Sequence, residues 1–393
     1  MHKKNNVLVM TMACVLFLFV AAGLVLTCAD RVQAEEPYKV GAIFSVTGRA
    51  SFLGEPEKKT VEMIAEWINA AGGINGHPLE LIVYDDESDD TKCNLAMKRL
   101  ISLDQVPVVI GPSTSGTSLA IVNVADKEQV PLISCAASKK IVMPVEDRHW
   151  VFKVAGSDIH VSQRIFSYMK SKGISKVAIM TGTTGFGASG REELLAYAPE
   201  FGITIVADER YGPKDTDLTA QLTKIKGTDA QAIVNWSIGP TQVLAVKNWR
   251  ALGMDSIPLY QSHGFGSRKN IELCGKDAEG VLCPLARVNI GRLLPDDNVQ
   301  KVTIMKYTEA YEQKYHEPIS SFGGHAWDAL YIAVKALENV GPDRAKIRDY
   351  IENLTGFVGQ HGVFNFSPTD HNGLSKDDLE MVVVKNGDWA IAQ

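Results

Sequence analysis

The chain has 393 residues, 45% of them hydrophobic, and a formal net charge of −6. That is ample for a packed core and suggests about two domains at the usual ~150 residues each. The mildly acidic balance gives no electrostatic footprint for nucleic acid, and the sequence holds neither a low-complexity tract nor a short internal repeat.

The first 34 residues differ from the rest. "MHKKNN" is basic, "VLVMTMACVLFLFVAAGLVL" is uninterrupted apolar sequence over 7–26, and "VQA" ends at Ala34 before "EEPYKV". This is the three-part plan of a secretory signal, 1–34, cleaved after about Ala34, and it places the mature chain in the periplasm. The apolar run is longer than most such signals, so an uncleaved single-span anchor is the alternative. Thr27 before Cys28 argues against lipid attachment. Four cysteines remain after export: Cys93, Cys135, Cys274 and Cys283. Cys274 and Cys283 flank the short segment "GKDAEGVL", which suits either a local disulfide or two buried thiols. No Cys/His spacing resembles a metal site, and no metal is expected.

From residue 38 onward, short apolar runs alternate with helical periodicity. "YKVGAIFSV" (38–46) reads as a strand, and the helix after it carries Val61, Ile64, Ala65 and Ile68 at i, i+3, i+4, i+7 before a stop at Gly72 and Gly73. "LELIVYDD" (79–86), "VPVVIGP" (106–112) and "VPLISC" (130–135) are further strands. A second series starts near Ala155 with "KVAIM", "GITIVADERY", "AQAIVNW" (230–236) and "IPLYQS" (257–262). Two helices follow Cys283, at "VQKVTIMKYTEAYEQKYH" and "GHAWDALYIAVKALENVG", and strand-like "GVFNF" and "LEMVVVKNG" close the chain. This order predicts an α/β protein of two lobes with parallel-rich sheets and a cleft where strand C-terminal ends meet.

Within the second series, Gly185-Phe186-Gly187-Ala188-Ser189-Gly190 fits G-x-G-x-x-G, and Asp208 lies at a spacing that suits a ribose-binding acid. A dinucleotide reading fails on context. The spacer "TGTT" separates strand from glycines, and exported compartments hold little free nicotinamide, so no cofactor is expected. Neither a nucleophile elbow nor a P-loop occurs, so the chain reads as no enzyme.

Taken together, "VGAIFSVTGRASFLG", "INAAGGINGHPLELIVYDDESD", "VVIGPSTSGTSLAIVNVADKEQVPLISCAAS", "DTDLTAQLTKIKGTDAQAIV" and "FNFSPTDHNGL" closely resemble type I periplasmic binding proteins, specifically the branched-chain amino-acid (Leu/Ile/Val) binding family of ABC importers. The resemblance covers 37–393. It implies two Rossmann-like lobes joined by three hinge crossovers, the first from 37–154 with about 284–362 and the second from 155–283 with about 375–393. It also implies a monomer that closes on a small carboxylate or amino acid and works with ABC permease and ATPase subunits. A ligand-sensing module for a chemoreceptor or other signalling partner is the alternative role.

The resemblance carries ligand contacts onto Ser115, the backbone of Ala136 and the hydroxyl of Ser138, with Ser113 and Thr114 beside them. Small hydroxyl residues between a strand and a helix start suit an anion. N-capping alone would account for one such serine, whereas two such loops on neighbouring strands favour binding. Phe186 takes the place of the family's cleft-facing aromatic, on glycines expected to bend the backbone beneath it; the alternative is a core ring.

Two positions depart from the family. Where amino-acid binders place the glutamate that receives the ligand's ammonium, this chain has His263, and Leu53 replaces a tyrosine that reaches the ligand. A buried ammonium without a counter-charge is penalised by several kcal/mol, and a histidine is mostly neutral near pH 7. The expected ligand is therefore an organic acid, an aromatic one being suited by Phe52, Phe186 and Trp236, with a branched-chain amino acid as the alternative. Trp236 suits core or pocket equally, and Arg49 suits either an acidic ligand or a solvated loop. His325 and Asp328, three apart on a helix, read as packing and helix capping.

Overall fold

Two sheets organise the computed structural model, which describes residues 35–393. The expected export signal and its cleavage point lie outside the described residues. The first sheet uses β1 (Tyr38–Phe44), β2 (Leu79–Asp85), β3 (Val109–Ile110), β4 (Leu132–Ser134) and β5 (Val151–Lys153), all parallel in the order β2-β1-β3-β4-β5. Between them run α1 (Ser51–Ala70), α2 (Asp90–Ser102) and α3 (Ser115–Glu128). Val61, Ile64 and Ala65 give α1 the buried stripe that its periodicity predicts. Asp89 sets the start of α2 by accepting from the Lys92 amide at 2.9 Å.

The second lobe begins with α4 (Asp158–Ser171) and continues through β6 (Lys176–Gly182), α5 (Gly185–Tyr197), β7 (Thr204–Tyr211), α6 (Thr219–Lys226), β8 (Ala232–Trp236), α7 (Pro240–Ala251), β9 (Leu259–Gln261), α8 (Arg268–Cys274) and β10 (Leu282–Ala286). Every residue of β8 is buried, as a central parallel strand covered on both faces requires. The chain then returns to the first lobe as α9 (Lys301–Tyr315), α10 (Ser321–Val340) and α11 (Arg344–Glu352), with Trp327 of α10 meeting Trp67 of α1 edge to face at 5.9 Å. A small hairpin, β11 (Phe357–Val358) and β12 (Val363–Phe364), precedes β13 (Leu379–Lys385) and β14 (Asp388–Ile391). These last two strands add antiparallel edges to the second sheet, ordered β14-β13-β10-β9-β8-β6-β7.

The chain thus passes between the sheets after β5, after β10 and between β12 and β13. Since β10 pairs with β9 and β13 up to Ala286, the second passage starts beyond Ala286, not at Cys283. The passages are tied to one another. His371 accepts the Lys153 amide on its carbonyl at 3.0 Å, Asn372 donates to the Ala155 carbonyl at 3.0 Å, and Arg287 pairs with Glu380 at 3.1 Å. Cys93, Cys135, Cys274 and Cys283 are all buried free thiols. Cys283 donates to the Ser262 carbonyl at 3.2 Å, and burial pushes the Cys274 thiol up to about 12, which leaves little thiolate to react. Among the described residues no helix is long and apolar enough to cross a membrane.

Candidate functional site

Parallel strands deliver their loops to one end, so the β3–α3 and β4–β5 loops of the first lobe face the β6–α5, β8–α7 and β9–α8 loops of the second. Gly111 makes the first of these turns possible. Its φ is +84°, and a Cβ there would lie 2.1 Å from the Ile43 carbonyl oxygen. Thr114 then caps α3, accepting from the Thr117 amide at 3.1 Å. The amides of Ser115 and Gly116 are left as the orphan donors of a helix start.

Ser113, Thr114, Ser115 and Ala136 share one cavity with Phe186, Ile238, His263, Phe322 and His325, a space of about 380 Å³ counted to its open mouth. Ser113 is also turned inward. It accepts from the Ser45 amide at 2.9 Å and donates to Glu57, a fully buried carboxyl whose pKa burial raises well above the usual range. Ser115 Oγ accepts from the Ser138 amide at 3.3 Å, so the two carried-over serines adjoin. The Ala136 amide is held by Ser134 Oγ at 3.1 Å.

Ser138 is fully buried and shares a hydrogen bond of 2.8 Å with Ser189 of α5, from the opposite lobe. Its hydroxyl therefore joins the lobes. The same seam holds Lys140 against Glu192 at 2.7 Å, and Lys139 lies 2.7 Å from the buried Glu193 without meeting hydrogen-bond angles.

Phe186 stands in the first turn of α5 with its ring 5.3 Å from that of His263 at 75°, an edge-to-face pair. Trp236 supports both rings from behind, at 5.8 Å and 5.9 Å, and is itself fully buried in the second lobe's core. The glycines of α5 serve close approach, not a bend, because the strand runs to Gly182 and the helix starts at once after Thr184. A Cβ on Gly187 would fall 2.1 Å from the Gly182 carbonyl oxygen, one on Gly190 would meet the Trp236 ring, and one on Gly185 would lie 3.2 Å from the Gly116 nitrogen across the cleft. Asp208 pairs with Arg191 on the second lobe's surface.

Leu53 is buried against Ala50 and Phe322, while its neighbour Phe52, with Arg49, lines the outer part of the cleft alongside Phe186 and Ile238. His263 keeps some of its surface toward the cavity. Burial, followed by the charges of Lys153 and His361, presses its pKa down to about 3, so the imidazole facing the cavity is neutral.

The sequence reading missed Phe322, Ile238 and His361, and took His325 for packing and helix capping where it lines the cavity. Asp328 does not cap its own helix, whose N-cap is Ser320. It accepts instead from the amides of Gln360 and His361 at 2.6 and 3.1 Å and from His361 Nδ1 at 2.9 Å.

A family profile described as periplasmic binding protein matches residues 37–388. The leucine-, isoleucine-, valine-, threonine- and alanine-binding protein of Pseudomonas aeruginosa is 23% identical over 338 residues, covering 84% of this chain and 87% of that one. Among solved structures, an extracellular ligand-binding receptor from Rhodopseudomonas palustris HaA2 superposes with a TM-score of 0.85 at 28% identity, over 91% of this chain and 100% of that one. A branched-chain amino-acid transporter substrate-binding protein from Streptococcus pneumoniae, solved with isoleucine, gives 0.80 at 26% identity over 91% and 99%.

Proposed function

The chain belongs to the periplasmic binding protein family, of the branched-chain amino-acid type, and from that premise we propose that it is the exported solute-binding subunit of an ABC importer whose ligand is a small organic acid. One observation carries the choice of ligand. Among the described residues, the central cavity is lined by hydroxyls, a helix start, aromatic rings and neutral histidine, with no carboxylate. A carboxylate ligand would meet the free amides of Ser115 and Gly116 and the Ser115 hydroxyl, at the positive end of α3. An α-ammonium would be desolvated there without a partner, at a cost of several kcal/mol.

Phe186 and Phe322 supply the apolar walls that suit an aromatic or branched body. Each lobe contributes part of the lining, which supports closure on the ligand, because a ligand touching both favours the shut state. A branched-chain amino acid is the second reading, favoured by the ligands named for the Pseudomonas and Streptococcus relatives. Calorimetric titration of the purified protein with leucine, phenylalanine and a panel of aromatic and aliphatic acids decides between them. The acids should bind and the amino acids should not, and His263→Glu should shift preference toward leucine. Tight leucine binding with no response to any acid reverses the assignment.

A further inference from the structure

Beyond His263 the cleft continues inward to a second chamber, lined by His263, His325, His361 and Asn289 and bounded by residues of all three interlobe passages. Four buried polar atoms on these side chains have no hydrogen-bond partner: Nδ1 of His263, Nδ1 of His325, Nε2 of His361 and Oδ1 of Asn289. His325 and His361 are at least nine-tenths buried, and leaving such groups unsatisfied costs about 1–3 kcal/mol each. Unpartnered atoms on side chains that line one chamber are what a ligand group there would satisfy.

Resting on the organic-acid reading above, we infer that this chamber is a distal subsite for a hydroxyl group, so that the ligand is a hydroxy acid whose hydroxyl lies at the far end from its carboxylate. The lining selects hydroxyl over a second carboxylate. Asp378 also lines the chamber and adds acceptor oxygens to it. Asn289 donates through Nδ2 to the Gly266 carbonyl at 2.9 Å, which fixes its Oδ1 as a further acceptor. A carboxylate would face only more acceptors on these two side chains. A hydroxyl donates to one of them and accepts from a neutral imidazole N–H. Burial keeps His263 and His325 neutral, and a neutral ring offers one donor and one acceptor. The His325 ring lies 3.8 Å from that of His361, tilted by 30°, so the two rings brace one another in the lining.

The test uses matched probes on the purified protein: benzoate, 4-hydroxybenzoate and terephthalate, and pentanoate, 5-hydroxypentanoate and glutarate. In at least one series the hydroxy acid should bind about tenfold tighter than its parent acid, with no proton uptake when the titration is repeated in buffers of different ionisation enthalpy. His361→Asn should erase that ratio while leaving parent-acid binding within about threefold. The wild-type ratio stands as a test even if the His361 variant fails to fold. Parent acids that bind with no hydroxyl preference overturn this subsite alone. Tighter dicarboxylate binding with proton uptake overturns the hydroxyl assignment. Binding of no acid in either series overturns the organic-acid reading and this inference with it.

Discussion

His263 stays neutral in the folded protein down to about pH 3 because burial penalises its charged form, whereas the same side chain in an unfolded chain protonates near 6.5. The folded pKa is the depressed one, so its contribution to stability is complete above pH 6.5 and is lost as pH falls toward 3. At ~1.4 kcal/mol per pH unit of difference, the loss reaches about 2 kcal/mol by pH 5. Buried Asp158, whose pKa burial raises to about 7, works in the opposite sense, so whole-protein stability alone does not isolate the histidine. The comparison that does is wild type against His263→Gln in urea at pH 7.5 and pH 5.0. The stability difference should move in favour of the glutamine variant by about 2 kcal/mol at the lower pH. A constant difference would mean that His263 protonates in the fold, and the case against an ammonium would change with it. At this scale the place of Ser113, Thr114 and Ser115 at the cavity was legible because hydroxyls between a strand and a helix have a local signature. Leu53 and Trp236 were not, because whether a side chain lines a cavity or backs it depends on residues far along the chain, such as Phe322 and Gly190. The pairing of Asp328 with His361 spans 33 positions and has no local spacing to betray it.

Helix α5 shows how one motif serves three neighbours. Gly187 and Gly190 admit Gly182 and Trp236 within the second lobe, while Gly185 admits the start of α3 from the first. Substitutions should separate accordingly. Gly190→Ala drives a Cβ into the Trp236 ring and should lower stability by about 1–3 kcal/mol, ligand or none. Gly185→Ala meets its obstacle, the Gly116 backbone at 3.2 Å, only when the lobes are together. It should leave the ligand-free melting temperature within about 2 °C of wild type and weaken the tightest acid of the panel about tenfold. Equal affinity would show that α3 and α5 part slightly at no cost on closing. Periodicity made α1, α9 and α10 readable, since each is long enough for its buried stripe to repeat. β5 and β10 escaped because three to five residues without alternation carry too little pattern. The glycines were misread as a bend for a related reason. The motif fixes residue types, but only the strand's extension to Gly182 shows that the helix follows it at once.

At the scale of the whole molecule, the shut arrangement depends on charges that face each other only across the cleft. Glu193 is fully buried with Lys139 at 2.7 Å, and Lys140 reaches Glu192 beside it. If the lobes separate, Glu193 regains water, so its burial is a cost of closing that Lys139 offsets. Removing the lysine leaves that cost uncompensated in the shut state alone. Lys139 is about one-third exposed, which limits the effect to about 1–2 kcal/mol. Because ligand affinity includes the free energy of closing, Lys139→Ala should weaken the tightest acid of the panel about tenfold while the ligand-free protein melts unchanged. Lys139→Ala combined with Glu193→Leu removes the stranded carboxylate too and should recover most of the lost affinity, a coupling that a double-mutant cycle measures directly. Small-angle scattering supplies the independent reading. Wild type should contract on ligand addition, and the single variant should need about ten times more ligand for the same contraction. If the single variant instead lost stability without ligand and kept its affinity, the pair would be holding the lobes together at all times. Capture would then need a route into the cleft other than the parting of this seam.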